Sequence, residues 1–93
     1  MMQIKFTGSA LSDLQQIKSY ISLDSPQNAR VFIKDLLDKI NLLSEQPYLS
    51  KASPYHSDSA YRQMTFKGYS VIYRITEDLI FILTIFKAKH YQP

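Results

Sequence analysis

Apolar residues recur at Ala10, Leu14, Ile17 and Ile21, a spacing of four, three and four that lays them along one face of a helix. Ser9 precedes this run as its predicted N-cap. The run is expected to stop near Leu23-Asp24-Ser25-Pro26, because proline lacks the N–H that an interior turn needs and disfavours a helical residue before it. The same proline opens a second helix, with Ser25 as cap and Pro26 at the first helical position. Ala29, Phe32, Ile33, Leu36, Leu37, Ile40 and Leu43 then form a broad apolar stripe. So few residues separate the two stripes that an antiparallel helix hairpin is expected. Glu45-Gln46-Pro47 ends the second helix, and PYLSKASPYHSDS reads as a loop rich in Ser and Pro.

Beyond that loop the period shortens to two. YRQMTF, YSVIYRI and LIFILTIF are aromatic or β-branched runs separated by Lys67-Gly68 and Thr76-Glu77-Asp78, the pattern of an antiparallel meander. Within the middle run Tyr69, Val71, Tyr73 and Ile75 share one face, while Ser70, Ile72 and Arg74 share the other. A strand so apolar on both faces is expected at the centre of a sheet. At the N-terminus QIKF alternates and predicts a short strand. The expected fold class is therefore α+β: a short N-terminal strand, then an antiparallel helix hairpin packed on a small antiparallel sheet that ends in a three-strand meander. One face of the sheet is left partly open. Ninety-three residues suffice for one core, so residues 1–93 are expected to form one domain.

The composition, 45% apolar and 20% charged, is that of a globular chain. Cysteine is absent, which fits a reducing compartment. MMQIKFTGS has no apolar leader core, and the longest apolar stretch, Leu79 to Phe86 interrupted by Thr84, is too short to span a bilayer. A cytoplasmic protein without membrane contact is expected. The net charge of +3 is unevenly spread. Five basic residues balance five acidic ones in residues 1–50, whereas residues 51–93 carry six against three. An anionic partner is thus expected to meet the C-terminal half.

Gly8 and Gly68 are the two glycines, too few for a phosphate-binding loop. His56 and His90 lack partners at metal-ligand spacing, so neither a metal nor a cofactor is expected. No GxSxG signature marks a serine nucleophile. Attention falls on the cations of the second half. Arg62 is in strand phase with Met64 and Phe66, so its guanidinium is expected to emerge at the rim or to meet an anion. Arg74 is expected to pair with Glu77 and Asp78 across the following turn. The terminal IFKAKHYQP supplies Lys87, Lys89, His90 and Tyr91, residue types that suit RNA cleavage. That reaction needs a base for the 2′-hydroxyl, cations for the pentacovalent phosphorus and an acid for the leaving 5′-oxygen. A polar tail after a strand is the alternative reading of the same residues.

The order strand, helix hairpin, meander resembles the RelE/ParE superfamily of bacterial type II toxins over essentially the full length. The resemblance is carried by ALSDLQQIKSYI, by the second helix ending LLSEQP and above all by YRQMTFKGYSVIYRITEDLIFILTIF. It implies a toxin silenced by a cognate antitoxin, whose C-terminal segment wraps the toxin while its other end binds operator DNA. Operator DNA would thus be reached only through the antitoxin complex. RelE-like members cut mRNA at the ribosome, whereas ParE-like members inhibit DNA gyrase and are not nucleases. Arg62 and Arg74 match the family's sheet arginines, and His90 or Tyr91 the C-terminal catalytic position of the RNA-cutting branch. Lys51, Lys67, Lys87 and Lys89 are then the cations expected to contact substrate or target.

Three departures weigh on the choice. The charge of +3 is low for a nuclease acting on a polyanion. Lys87 stands where many relatives have a histidine, and His90 follows three residues later. The long, well-capped hairpin is ParE-like. A gyrase-directed, non-enzymatic toxin is therefore the expectation, with ribosome-dependent mRNA cleavage as the alternative and a non-toxic, antitoxin-binding regulatory homologue as a third class. The antitoxin is expected to cover the open side of the sheet and the groove beside the helix hairpin, using an amphipathic helix or an added strand.

Overall fold

The computed structural model describes residues 1–87. Strand β1 (Gln3–Phe6) leads into helix α1 (Gly8–Ser22) and helix α2 (Pro26–Asn41), which a single 3-10 turn extends through Ser44. Strands β2 (Lys51–Ala52), β3 (Tyr61–Phe66), β4 (Tyr69–Ile75) and β5 (Leu79–Lys87) follow. The five strands form one sheet in the order β1-β5-β4-β3-β2. Its centre is β4, the strand whose two apolar faces predict that place. The meander β3-β4-β5 is antiparallel, and β1 joins the outer side of β5 in parallel, so the sheet is mixed. Three details differ from the sequence expectation, the first being this parallel β1 in a sheet expected to be antiparallel. The loop assigned to residues 47–59 contains β2, whose two residues pair with Arg62 and Gln63. The N-cap of α1 is Thr7, not Ser9, and its hydroxyl accepts from Ala10 N at 3.1 Å.

Helix α2 starts as its sequence dictates, with Ser25 Oγ accepting from Asn28 N and Pro26 in the first turn. The apolar stripes of both helices lie on one face of the sheet. Ala10 and Ile17 from α1 and Leu36 and Ile40 from α2 are buried with Met64, Val71, Tyr73, Ile80 and Ile82 in a continuous core. Burying a side chain of this size stabilises by about 1.5–3 kcal/mol, which is why the stripes and not helix propensity fix the hairpin on the sheet.

Two devices set the shape of the sheet. Lys67 (φ 47°) and Gly68 (φ 86°) are both left-handed, the conformation of a two-residue hairpin turn whose twist matches its strands. In β5 the pairing slips: Ile72 faces Thr84, but Tyr73 faces Ile82, which leaves Leu83 as an extra residue. The bulge keeps Ile80, Ile82 and Ile85 all buried, although a regular strand would turn the last of them to the other face.

Candidate functional site

Arg62 and Arg74 sit on opposite faces of the sheet. In the β3–β4 register Arg62 is opposite Tyr73, whereas Arg74 is opposite Tyr61. Adjacent residues of a strand project to opposite sides, so the two guanidinium groups do not share a cleft. Arg62 finds backbone carbonyls and not an anion: Nε and Nη2 donate to Ser50 O, and Nη1 donates to Ser59 O at 3.4 Å. Its guanidinium also lies 5.3 Å from the Tyr48 ring centroid. Beside it the Tyr73 hydroxyl donates to Pro47 O at 2.8 Å. Burial pushes the Tyr73 pKa above its ordinary value, with Ser50 and Arg62 pulling the other way. Together these groups tie the long 47–60 connection to the core side of the sheet.

Arg74 is exposed on the other face, where the expected pairing with Glu77 or Asp78 does not form. The ion pair found among the described residues is Lys34–Asp38 at 2.8 Å. Arg74 instead lies 5.7 Å from the ring centroid of Tyr61, its cross-strand neighbour. Register placed the arginine beside an aromatic ring, and sequence proximity to the acidic turn did not decide its contact. The Tyr61 ring also stacks on His56 at 4.0 Å. Ser53, buried, lies 3.0 Å from His56 Nδ1 and accepts from Tyr55 N, which makes it the pivot of this turn. Tyr55 meets Phe86 edge to face at 6.1 Å. The 53–60 segment thus lies across part of the sheet face that carries no helix.

A third cluster forms where the β3–β4 turn meets the helix hairpin. Phe32 of α2 packs against Phe66 and Tyr69 with centroids 5.5 and 5.4 Å away. Lysines surround these rings. Lys39 and Lys67 approach Phe66 at 5.7 and 5.4 Å, and Lys87 lies 5.4 Å from Tyr69 and 5.8 Å from Tyr20. Burial, with Tyr20 nearby, raises the Tyr69 pKa. Asp13, Gln16, Ile17, Tyr20, Tyr69 and Lys87 line a groove of about 300 Å³ between α1 and the end of β5. Lys39 is the member that the sequence did not reveal. Its position between Leu36 and Ile40, at the flank of the stripe, was the available signal, since a lysine there lays its stem along apolar surface.

Of the lysines expected to contact a target, Lys67 and Lys87 thus come to one end of the sheet. Lys51 is exposed on the short edge strand β2, where it lines a separate groove with Lys39. Lys89, His90 and Tyr91 lie outside the described residues. Among the described residues no three His, Cys, Asp or Glu side chains gather as metal ligands, and no helix is long and apolar enough to cross a membrane.

Residues 4–90 match the family model described as the ParE toxin of the type II toxin–antitoxin system parDE. A chain of the chromosomal ParDE toxin–antitoxin system from P. aeruginosa is 26% identical and superposes with a TM-score of 0.77, over 94% of this chain and 96% of that one. A chain of the RelBE2 toxin–antitoxin complex from Mycobacterium tuberculosis is 18% identical with a TM-score of 0.62, covering 92% and 96% respectively. For the E. coli DinJ–YafQ complex the values are 15%, 0.60 and the whole of both chains. At these lower identities the likeness is one of fold. A comparison with curated protein sequences finds no match.

Proposed function

Because the chain belongs to the ParE toxin family of type II toxin–antitoxin systems, we propose that it arrests growth by binding DNA gyrase as a protein inhibitor, without cutting nucleic acid. A cognate antitoxin silences it. The observation that carries this reading is the separation of Arg62 and Arg74 on opposite faces of the sheet, with the Arg62 guanidinium held by Ser50 and Ser59 carbonyls. Stabilising a pentacovalent phosphate requires donors that converge on one point and are free to bind it. Arg62 fits a scaffold better than an active site, and Arg74 on the opposite face does not converge with it.

In this reading the toxic surface is one that contacts a protein, and Lys67 and Lys87 belong to it. The antitoxin covers the face of the sheet that carries no helix, where Leu79 and Phe81 are half-buried and Arg74 is exposed. Partner segments that combine apolar side chains with carboxylates would suit that face. The direct test uses purified chain in two assays. Inhibition of gyrase-dependent supercoiling, with no cleavage of mRNA on translating ribosomes, is the expected result. Ribosome-dependent cleavage with unaffected supercoiling would replace this reading by the mRNA-cutting one.

A further inference from the structure

The end of the molecule formed by the α1–α2 connection and the β3–β4 turn is both cationic and apolar. Leu23 is 84% exposed, Tyr20 64% and Val31 49%. These are large side chains on adjoining turns, and three shallow grooves join them: Tyr20 lines the first with Lys87, Tyr20 and Leu23 line the second, and Val31 lines the third with Lys67. Lys39, Lys67 and Lys87 all rest against the aromatic cluster beneath, and none of the three forms an ion pair with a carboxylate among the described residues. Two acidic residues line these grooves. Asp24 is exposed, and Asp13 is engaged by Thr84 and Ile85.

Cations alone would suit any polyanion. Exposed Leu, Tyr and Val beside them add surface that a phosphate backbone cannot bury, whereas an amphipathic protein segment can. The lysines supply the complementary charge for its acidic side chains. We propose that this end of the toxin docks an amphipathic, carboxylate-bearing segment of the protein that it inhibits, and that the antitoxin, contrary to the expectation that it also covers the groove beside the helix hairpin, binds on the face of the sheet that carries no helix. Under the gyrase reading that segment belongs to gyrase, so the identity of the partner rests on that reading. The surface itself is tested independently of it.

The test expresses the full chain without antitoxin, as wild type, Leu23→Asp, Lys67→Asp and Lys87→Gln, and scores growth arrest against expression level. Binding of each purified variant to the cognate antitoxin is measured in parallel and also reports folding. Aspartate tolerates the left-handed backbone at position 67, so the turn survives that substitution. Leu23→Asp and Lys67→Asp are each expected to raise the amount of toxin needed for arrest by about tenfold or more, with antitoxin affinity within about twofold of wild type. Lys87→Gln should act in the same direction. Loss of antitoxin affinity in parallel would give the surface to the antitoxin and overturn the proposal. So would variants as toxic as wild type, or a wild type that does not arrest growth. Loss through the lysine variants with Leu23→Asp fully toxic would point to a nucleic-acid phosphate backbone and overturn it too. If wild type arrests growth while gyrase stays active, the gyrase reading fails, and the variants still decide the surface.

Discussion

Asp13 on α1 accepts two hydrogen bonds from β5 through one oxygen, with Oδ2 2.9 Å from Ile85 N and 2.8 Å from Thr84 Oγ1. Both donors lie just after the extra residue of the bulge, where the ladder to β4 is interrupted. At the extra residue itself, Thr7 Oγ1 donates to Leu83 O at 2.9 Å. Helix α1 and its cap thus supply the partners that the irregular strand needs, and they hold β5 in the phase that buries Ile85 and brings Lys87 to Tyr20 and Tyr69.

Replacing Asp13 by alanine removes both acceptances and leaves the Ile85 N–H without that partner. A loss of about 1–3 kcal/mol is expected in urea unfolding. Asp13→Asn retains one acceptor oxygen and should lose less.

Arg62→Ala should cost about 1.5–3 kcal/mol, because the carbonyls of Ser50 and Ser59 lose a charged donor. Arg62→Lys should recover part of that stability, since an ammonium cannot reproduce the forked geometry. If Arg62 is scaffold, folded Arg62→Lys protein inhibits its target at near wild-type potency. A large loss of potency at full folding would return Arg62 to the target-contacting set.

Tyr73 and Tyr69 have pKa values raised above the ordinary 10.0 by burial. The folded state therefore keeps its phenolic protons where the unfolded chain has begun to release them. The stability gained is present in full below about pH 10 and declines as pH rises from there through the folded-state pKa values. Alkaline unfolding curves should show this decline, with a shallower slope for Tyr73→Phe. At neutral pH that variant should lose about 1 kcal/mol with the hydrogen bond to Pro47.

Much of the fold was legible in the chain. Ser25-Pro26 marked the helix boundary, and the two-sided apolar run of Tyr69–Ile75 marked the central strand. The missed features share a physical cause. The bulge at Leu83 lies in LIFILTIF, where nearly every residue is apolar and no alternation exposes a change of phase. Strand β2 has two residues, too few for a period. Arg74 was assigned by proximity in sequence to an acidic turn, whereas cross-strand register put it beside Tyr61. Lys39 joined the cluster at Phe66 through tertiary packing across 27 positions of chain, of which its place at the flank of the α2 stripe gave the one local sign.

Lys67 adopts φ 47°, a region that costs a lysine about 1–2 kcal/mol. Lys67→Asn would create Asn-Gly, the favoured pair for this turn, and should raise stability by about 0.5–1 kcal/mol. The same variant removes a lysine from the proposed docking surface. A more stable but less toxic protein is the expected combination, measured by thermal unfolding and growth assay together.

His90→Ala and Tyr91→Phe distinguish the two toxic chemistries from the sequence side. A non-enzymatic inhibitor should tolerate both with growth arrest intact. A fall of orders of magnitude in toxicity, with antitoxin affinity unchanged, would make them catalytic.

The most direct measurement induces the chain in a bacterial host without antitoxin and follows DNA replication and protein synthesis separately through the first minutes. An early block of replication with a DNA-damage response, while translation continues, is the expected result for a gyrase-directed toxin. An immediate stop in translation with replication intact would contradict it.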